Sequence, residues 1–281
     1  MKIFEAVILG AIQGITEFLP VSSSGHLVLV QRLFKISGPA LFFDTMVHAG
    51  TLAAVFVVLW KDIWGILRRP LQPMTGFLIL ATIPTVAAAL IFNDSIERAF
   101  SSGGLLGFAF LFTAAALLVS WRLSGRPGKT DRIAAGRPDE VLPAGNMGWV
   151  DALAIGVCQA AAVVPGVSRS GLTLSGALSR RLNRDLAARF SFLLSIPAIL
   201  GALVLQLKDL AGGDAGTASE AGGIGAGAVA AGTLTAAIVG FFAVKFMLKI
   251  VRERSLWGFA VYVAVLGALV LTDQGATRFF F

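Results

Sequence analysis

Two short polar stretches of this sequence combine side chains that are able to do chemistry. The first contains a carboxylate, three consecutive hydroxyls and a histidine, namely Glu17, Ser22, Ser23, Ser24 and His26. The second contains an arginine among hydroxyls, namely Ser168, Arg169, Ser170 and Thr173. The guanidinium of an arginine donates hydrogen bonds to two phosphate oxygens at once, and hydroxyls and helix N-termini add further donors. Side by side, the two stretches would form an anion site that suits phosphate.

The composition places both stretches in a membrane protein rather than a soluble one. Of the 281 residues, 56% are hydrophobic and 14% are charged, whereas soluble domains have roughly 25% charged residues. One cysteine and two histidines exclude an intramolecular disulfide and any Cys-based or His-rich metal site. Six apolar windows are long enough to cross roughly 30 Å of hydrocarbon as helices: 41–60, 70–93, 99–121, 190–207, 221–244 and 255–272.

Two further apolar segments, 6–16 and 152–168, do not fit a span. Each leads into a break of Pro, Ser and Gly residues that carries a charge, and a second short segment follows. This pattern is typical of a re-entrant hairpin of two half-helices. We therefore expect an all-α integral membrane protein with about six transmembrane helices and two re-entrant helical hairpins.

Basic residues predict which loops face the cytoplasm. Four segments contain 16 of the 23 Lys and Arg residues and are expected inside: 61–69, 122–151, 180–189 and 245–254. The acidic segments 94–98 and 208–220 are expected outside, and so is the C-terminal tail. The net charge of +7 is thus a topology signal, and we expect no nucleic-acid partner.

The two polar stretches also align with each other. Residues 10–27 match residues 156–173 without gaps, and identical residues include Gln13 and Gln159. Because three spans follow each hairpin, the second copy must enter the membrane upside down. Within a single membrane domain we predict repeat 1 over about 1–121, a cytoplasmic loop at 122–150 and repeat 2 over about 151–281. The two breaks would then meet near the middle of the membrane.

Three motifs lie within these stretches: Gln13-x-x-x-Glu17, the run FLPVSSSGH at 18–26 and the run PGVSRSG at 165–171. They resemble the signatures of the bacterial undecaprenyl-diphosphate phosphatase family, also known as bacitracin-resistance proteins. The family pattern allows Glu or Gln at its first acidic position. Here Gln13 leaves Glu17 as the only carboxylate of the first motif.

The resemblance implies a multi-pass enzyme of the bacterial inner membrane. Such an enzyme hydrolyses undecaprenyl diphosphate to undecaprenyl phosphate and inorganic phosphate. It thereby recycles the lipid carrier for peptidoglycan synthesis and confers bacitracin resistance. A polyprenyl diphosphate is the expected substrate, membrane lipids are the expected surroundings, and the active site is expected to be accessible from the outer face. A homodimer is one option for its assembly.

Hydrolysis of a phosphoanhydride can use these residues in two ways, and the sequence does not choose between them. In the first, Ser23 is the nucleophile and His26, near one helical turn away, is the base or acid. In the second, Glu17 assists direct attack by water, as a base or as a ligand of Mg²⁺ or Ca²⁺. In both, Arg169 would neutralise the negative charge on the phosphoryl oxygens. The alternative role of Arg169 is a structural ion pair with Glu17.

The other polar side chains are candidate substrate ligands or structural groups. Ser168, Ser170 and Thr173 donate to phosphate or cap half-helices with about equal weight. His48, near the end of a span, either lines the cavity or is a structural histidine. The predicted substrate-binding residues of the first motif are Gln13, Ser22 and Ser24.

A function of another class competes with hydrolysis. Inverted repeats whose broken helices meet at mid-membrane are typical of transporters, which makes a lipid-phosphate flippase or an anion transporter the alternative. The combination of Ser23 and His26 beside Arg169 favours the enzyme, because a carrier has no use for a nucleophile.

Overall fold

The computed structural model describes residues 1–36, 41–92, 98, 103–124, 147–211 and 224–277. Within these ranges the chain forms eleven α-helices and no β-strand, as expected for an all-α protein. The last helix continues into one π-helical turn, Asp273–Thr277. In chain order the helices are α1 Ile3–Thr16, α2 Ser23–Leu33, α3 Leu41–Val58, α4 Trp60–Arg68, α5 Pro73–Ile91, α6 Leu106–Ser124, α7 Trp149–Ala161, α8 Arg169–Ser179, α9 Arg184–Ala211, α10 Ala226–Glu253 and α11 Trp257–Thr272.

Six of the helices in the described part of the chain are long and apolar enough to cross a membrane: α3, α5, α6, α9, α10 and α11. The predicted number and order of spans is confirmed, and the protein is a multi-pass membrane protein. Most of the segments 94–98, 122–150 and 208–220, and the end of the C-terminal tail, lie outside the described residues.

Two spans, α9 and α10, extend well past the windows that the sequence predicts for them. Helix α9 already begins at Arg184, and α10 continues to Glu253, because charges at a helix end do not stop a helix when they have partners. Arg189 pairs with Asp185 one turn earlier at 2.9 Å and with Asp62 of α4 at 2.7 Å. The charge-free windows therefore underestimate both helices. Helix α4 itself was not predicted.

Two pairs of short helices carry the polar stretches. Helices α1 and α7 have 14 and 13 residues, and α2 and α8 have 11 each. At about 1.5 Å per residue, none of them crosses the hydrocarbon alone. Between the members of each pair lies an irregular segment, which we call the first break (residues 17–22) and the second break (residues 162–168).

Glycines fix the position of both pairs. Helix α1 packs along α10, and α7 packs along α5. A Cβ atom on Gly156 would lie 2.5 Å from the carbonyl oxygen of Ala81, and one on Gly10 would collide with the carbonyl oxygen of Gly232. Such close backbone approach is typical of helix packing in membranes. Helix α3 packs on α1, α9 and α10, which brings it beside the first break.

Candidate active site

Residues of both breaks and of the helices that follow them line one cavity of about 280 Å³. The first pair contributes Glu17, Ser23 and Ser24, and the second contributes Ser168 and Arg169. Helix α3 adds polar groups that include a histidine, and α9 adds an apolar wall. Those further lining residues are Leu27, Val28, Leu41, Asp44, Thr45, His48, Ala162, Val167, Ala198, Ile199 and Ala202.

The carboxylate of Glu17 is the centre of the polar contacts. It is buried, and its Oε2 accepts hydrogen bonds from Ser23 Oγ at 2.6 Å and from Gln13 Nε2 at 2.9 Å. The same oxygen lies 3.4 Å from His48 Nε2. The guanidinium of Arg169 pairs with the other oxygen, Oε1. Four side chains from four helices, α1, α2, α3 and α8, therefore hold one carboxylate.

Local structure explains how Glu17 and Ser23 come together. The N–H of Glu17 donates to Gln13 O at 3.0 Å, so Glu17 continues the last turn of α1 and shares a face with Gln13. The chain then turns back into α2, whose N-cap is Ser22. Ser22 has a φ of +71°, which is uncommon for a residue other than glycine. This turn places Ser23 at the start of α2 against the carboxylate.

Arg169 occupies the corresponding first position of α8. Ser168 is the N-cap of that helix and its Oγ accepts from Gly171 N at 3.1 Å. The Nη2 of Arg169 pairs with Glu17, whereas its Nη1 is buried and has no hydrogen-bond partner among the described residues. An unsatisfied buried donor costs roughly 1–3 kcal/mol, and more when charged. An oxyanion in the cavity would satisfy it.

The two breaks are braced against each other through equivalent serines. Ser24 Oγ accepts from Gly166 N at 3.3 Å, and Ser170 Oγ donates to Leu19 O at 2.9 Å. Ser170 does not line the cavity. Its contact with the opposite break therefore gives it a bracing role in this structure.

Three more of the predicted site residues lie outside the cavity lining. Gln13 is fully buried and reaches the site only through Glu17. Ser22 caps α2, its Oγ accepting from Gly25 N at 3.2 Å. The hydroxyl of Thr173 lies 2.9 Å from Arg169 O and 2.5 Å from Ser191 Oγ. Gln13 therefore holds Glu17, Ser22 holds the start of α2, and Thr173 holds the start of α8.

His26 is also outside the cavity lining. Its Nδ1 lies 2.7 Å from Ser22 O, and its Nε2 lies 2.7 Å from the hydroxyl of Tyr262 in α11. The imidazole stacks on the Tyr262 ring, with centroids 5.8 Å apart, and meets Phe110 edge-on. In the structure the ring nitrogens of His26 therefore contact Ser22 O and Tyr262, and not Ser23, with which the sequence prediction paired it.

The profile of the family described as "BacA: Bacitracin resistance protein BacA" matches residues 6–269. The chain belongs to the BacA family. The family resemblance seen in the motifs is thereby confirmed.

Curated relatives of this BacA-family chain cover it almost completely. A protein of Carboxydothermus hydrogenoformans named undecaprenyl-diphosphatase is 43% identical over 279 residues, which are 99% of this chain and 100% of that protein. Undecaprenyl-diphosphatase 4 of Bacillus thuringiensis subsp. konkukian is 42% identical over 98% of both chains. An undecaprenyl-diphosphatase of Methanosphaera stadtmanae is 38% identical over 96% of this chain and 98% of its own.

Three polar residues of the cavity in this BacA-family protein were absent from the predicted site: Asp44, Thr45 and His48. Of the two interpretations that the sequence allowed for His48, the structure supports the cavity. Its Nδ1 lies 2.6 Å from Asp44 O, and Asp44 Oδ1 accepts from Gln31 Nε2 at 2.7 Å. The signal in the sequence was the polar interruption by Asp44 and His48, spaced four residues apart, at the start of an apolar span.

The residues present do not fit a divalent cation on Glu17. Both oxygens of the carboxylate already face N–H or O–H donors, and Arg169 supplies the positive charge that a cation would bring. Hard cations require several oxygen ligands. Within the described part of the chain, no group of three His, Cys, Asp or Glu residues could hold a metal ion. The arrangement instead suits a nucleophile, a base and an anion-binding arginine.

Proposed function

We propose that the protein hydrolyses undecaprenyl diphosphate to undecaprenyl phosphate and inorganic phosphate. The names of its relatives and the chemistry of the cavity both support this reaction. One observation carries the proposal. Ser23 Oγ donates to Glu17 Oε2 at 2.6 Å beside Arg169, whose Nη1 has no partner among the described residues. A nucleophile, its base and an oxyanion ligand thus share one cavity.

In this proposal the two ends of the substrate occupy different parts of the cavity, one polar and one apolar. The terminal phosphate would bind Arg169 Nη1 together with the N–H groups at the starts of α2 and α8, where the helix dipoles favour an anion. The prenyl chain would lie along the apolar lining. That lining consists of Leu27, Val28, Leu41, Ala162, Val167, Ala198, Ile199 and Ala202.

The chemistry then proceeds in two steps. The proton of Ser23 moves to Glu17 as Oγ bonds to the terminal phosphorus, and the bond from phosphorus to the bridging oxygen breaks. Undecaprenyl phosphate leaves and phosphoserine remains. Water then attacks the phosphorus, Ser23 Oγ recovers a proton, and inorganic phosphate departs. Arg169 stabilises the charge on the phosphoryl oxygens in both steps.

We place the enzyme in the bacterial inner membrane, with its cavity open toward the outer face. Hydrolysis there would return the lipid carrier to peptidoglycan synthesis and lower sensitivity to bacitracin. A homodimer stays a prediction for its assembly.

Two re-entrant hairpins in an inverted repeat are part of the proposal. Equivalent packing supports it, because α1 lies on α10 as α7 lies on α5. Apolar grooves repeat as well: one lies between α5 and α9, and another lies between α3 and α10. Thr82 lines the first groove and directly follows Ala81, which packs against Gly156. Thr233 lines the second groove and directly follows Gly232, which packs against Gly10.

Cysteine labelling on intact cells tests the inversion. Cys158 is replaced by Ser, and single cysteines are placed in segments 122–150 and 208–220. An impermeant thiol reagent is expected to label the second segment only. Labelling of 122–150 from outside would reject the inverted arrangement.

Purified protein in detergent tests the reaction, because micelles provide no compartments between which a carrier could transport. We expect release of one inorganic phosphate per undecaprenyl diphosphate. Binding of substrate without phosphate release would favour the flippase or transporter. Matched protein carrying Glu17→Gln serves as the control for contaminating phosphatase.

A further inference from the structure

The two histidines of this chain use one nitrogen in the same way. In each, Nδ1 lies close to the backbone carbonyl four residues earlier: His26 to Ser22 O at 2.7 Å, and His48 to Asp44 O at 2.6 Å. A carbonyl oxygen only accepts hydrogen bonds. Nδ1 therefore carries a hydrogen in both rings, and the difference between them lies at Nε2.

At His26, Nε2 is satisfied without an additional proton. Its partner is the hydroxyl of Tyr262, at 2.7 Å, and a hydroxyl is able to donate. The ring is held between Tyr262 and Phe110 and does not line the cavity. A neutral His26 thus satisfies both of these partners, and it is not among the residues that line the cavity.

At His48, Nε2 lies 3.4 Å from Glu17 Oε2, and an ionised carboxylate only accepts. Two lone pairs would face each other unless a proton is present on one of the two groups. Glu17 Oε2 is also the oxygen to which Ser23 donates. His48 and Glu17 therefore hold one proton between them, in contact with the nucleophile.

The other groups around His48 do not replace Glu17 as its partner. Among the described residues, the ionisable side chains of the cavity are Glu17, Asp44, His48 and Arg169. The side chain of Asp44 is engaged by Gln31 of α2, and Arg169 pairs with Glu17. The wall contributed by α9 is apolar, with Ala198, Ile199 and Ala202.

We propose that His48, and not His26, is the histidine that exchanges protons with the reacting groups. In the first step Ser23 gives its proton to Glu17, and His48 gives its Nε2 proton to the bridging oxygen as undecaprenyl phosphate leaves. In the second step the attacking water gives a proton to His48, and Glu17 returns its proton to Ser23. Each cycle consumes one water and restores all three side chains. The inference rests on the proposed hydrolysis.

The test compares His48→Gln with His26→Gln in the purified full-length protein. Gln keeps a donor at either position but does not titrate. Phosphate release from undecaprenyl diphosphate is measured from pH 5 to pH 9, with size-exclusion elution and thermal unfolding as controls for folding. Because His48 must begin the cycle protonated, kcat of the wild type is expected to fall as pH rises.

His48→Gln is expected to lower kcat about 100-fold, the range of general acid and base catalysis, with little change in KM and without the alkaline fall. His26→Gln is expected to keep the alkaline fall, even if its rate is lower. A His48→Gln enzyme with kcat within about threefold of wild type and the same pH profile would overturn the inference, as would loss of the alkaline fall in His26→Gln instead.

If His48→Gln does not fold, His48→Ala with added imidazole decides the question. Imidazole is expected to restore phosphate release at least tenfold, and absence of rescue in folded protein contradicts the inference. Failure of the underlying function is distinguishable, since the wild type would then release no phosphate at any pH.

Discussion

Ser22 at the first break and Ser168 at the second hold the start of their helices in the same way. Each Oγ accepts a hydrogen bond from the backbone N–H three residues later, at 3.2 and 3.1 Å, respectively. Each also lies near the hydroxyl of the serine two residues on, at 3.4 and 3.3 Å. The residue between those serines differs: it is Ser23 in the first and Arg169 in the second. One local frame therefore presents the proposed nucleophile, Ser23, at one break and the proposed phosphate ligand, Arg169, at the other.

The backbones of the two breaks differ in where they turn. At the second, the left-handed residue is Gly166, with φ +85°, and Ser168 has an ordinary φ of −74°. At the first, the left-handed residue is Ser22 itself, with φ +71°. That conformation costs a residue other than glycine roughly 1–2 kcal/mol. The strain lies beside the nucleophile, where the direction of Ser23 matters most.

Replacement of the nucleophile has the largest expected effect. Ser23→Ala should lower kcat about 10⁴-fold or more, since no other hydroxyl among the described residues donates to Glu17. Rapid quenching of the wild type with radiolabelled substrate should trap phosphoserine at position 23. A partial loss in Ser23→Ala, together with a large loss in Glu17→Ala, would instead favour direct attack by water.

Exchange of the phosphate ligand at the second break comes next. Arg169→Lys keeps the charge but loses the planar fork that serves Glu17 and the phosphate at once. We expect kcat to fall about 10²-fold to 10³-fold. Turnover of Arg169→Lys close to wild type would reduce Arg169 to a counter-ion of Glu17.

The difference in backbone strain predicts a smaller effect, on stability. Ser168→Gly loses the N-cap hydrogen bond and relieves no backbone strain, because the φ of Ser168 is ordinary. Thermal unfolding should therefore show destabilisation by a few tenths to about 1 kcal/mol. Ser22→Gly loses the same bond but relieves the left-handed strain, so its stability should equal or exceed that of the wild type. Equal destabilisation by both substitutions would show that the φ of Ser22 carries no strain.

Removal of divalent cations has the smallest expected effect. Arg169 from the second break already supplies the charge opposite Glu17, so dialysis against EDTA should leave kcat of the purified enzyme unchanged. Loss of activity that is restored by Mg²⁺ or Ca²⁺ would support the metal ligand predicted at Glu17 and overturn this account of the first break.

The sequence by itself determined the spans and the local contacts at the two breaks. Charge-free apolar windows predict six membrane helices because the bilayer core excludes charges, and six are present in the described part of the chain. The pairing of Gln13 with Glu17 and the capping by Ser22 and Ser168 depend on contacts within four residues. Such local geometry follows from helix periodicity, so the sequence pattern is sufficient.

Only the tertiary structure decided which partner each histidine has at Nε2. His26 lies in the motif, yet its Nε2 is occupied by Tyr262, 236 residues away. His48 lies outside the motifs, yet the packing of α3 against α1 brings it to Glu17. Both rings have the same hydrogen bond within their own helix, so residue type and spacing cannot distinguish them. The distinction arises at Nε2, whose partner is set by long-range packing.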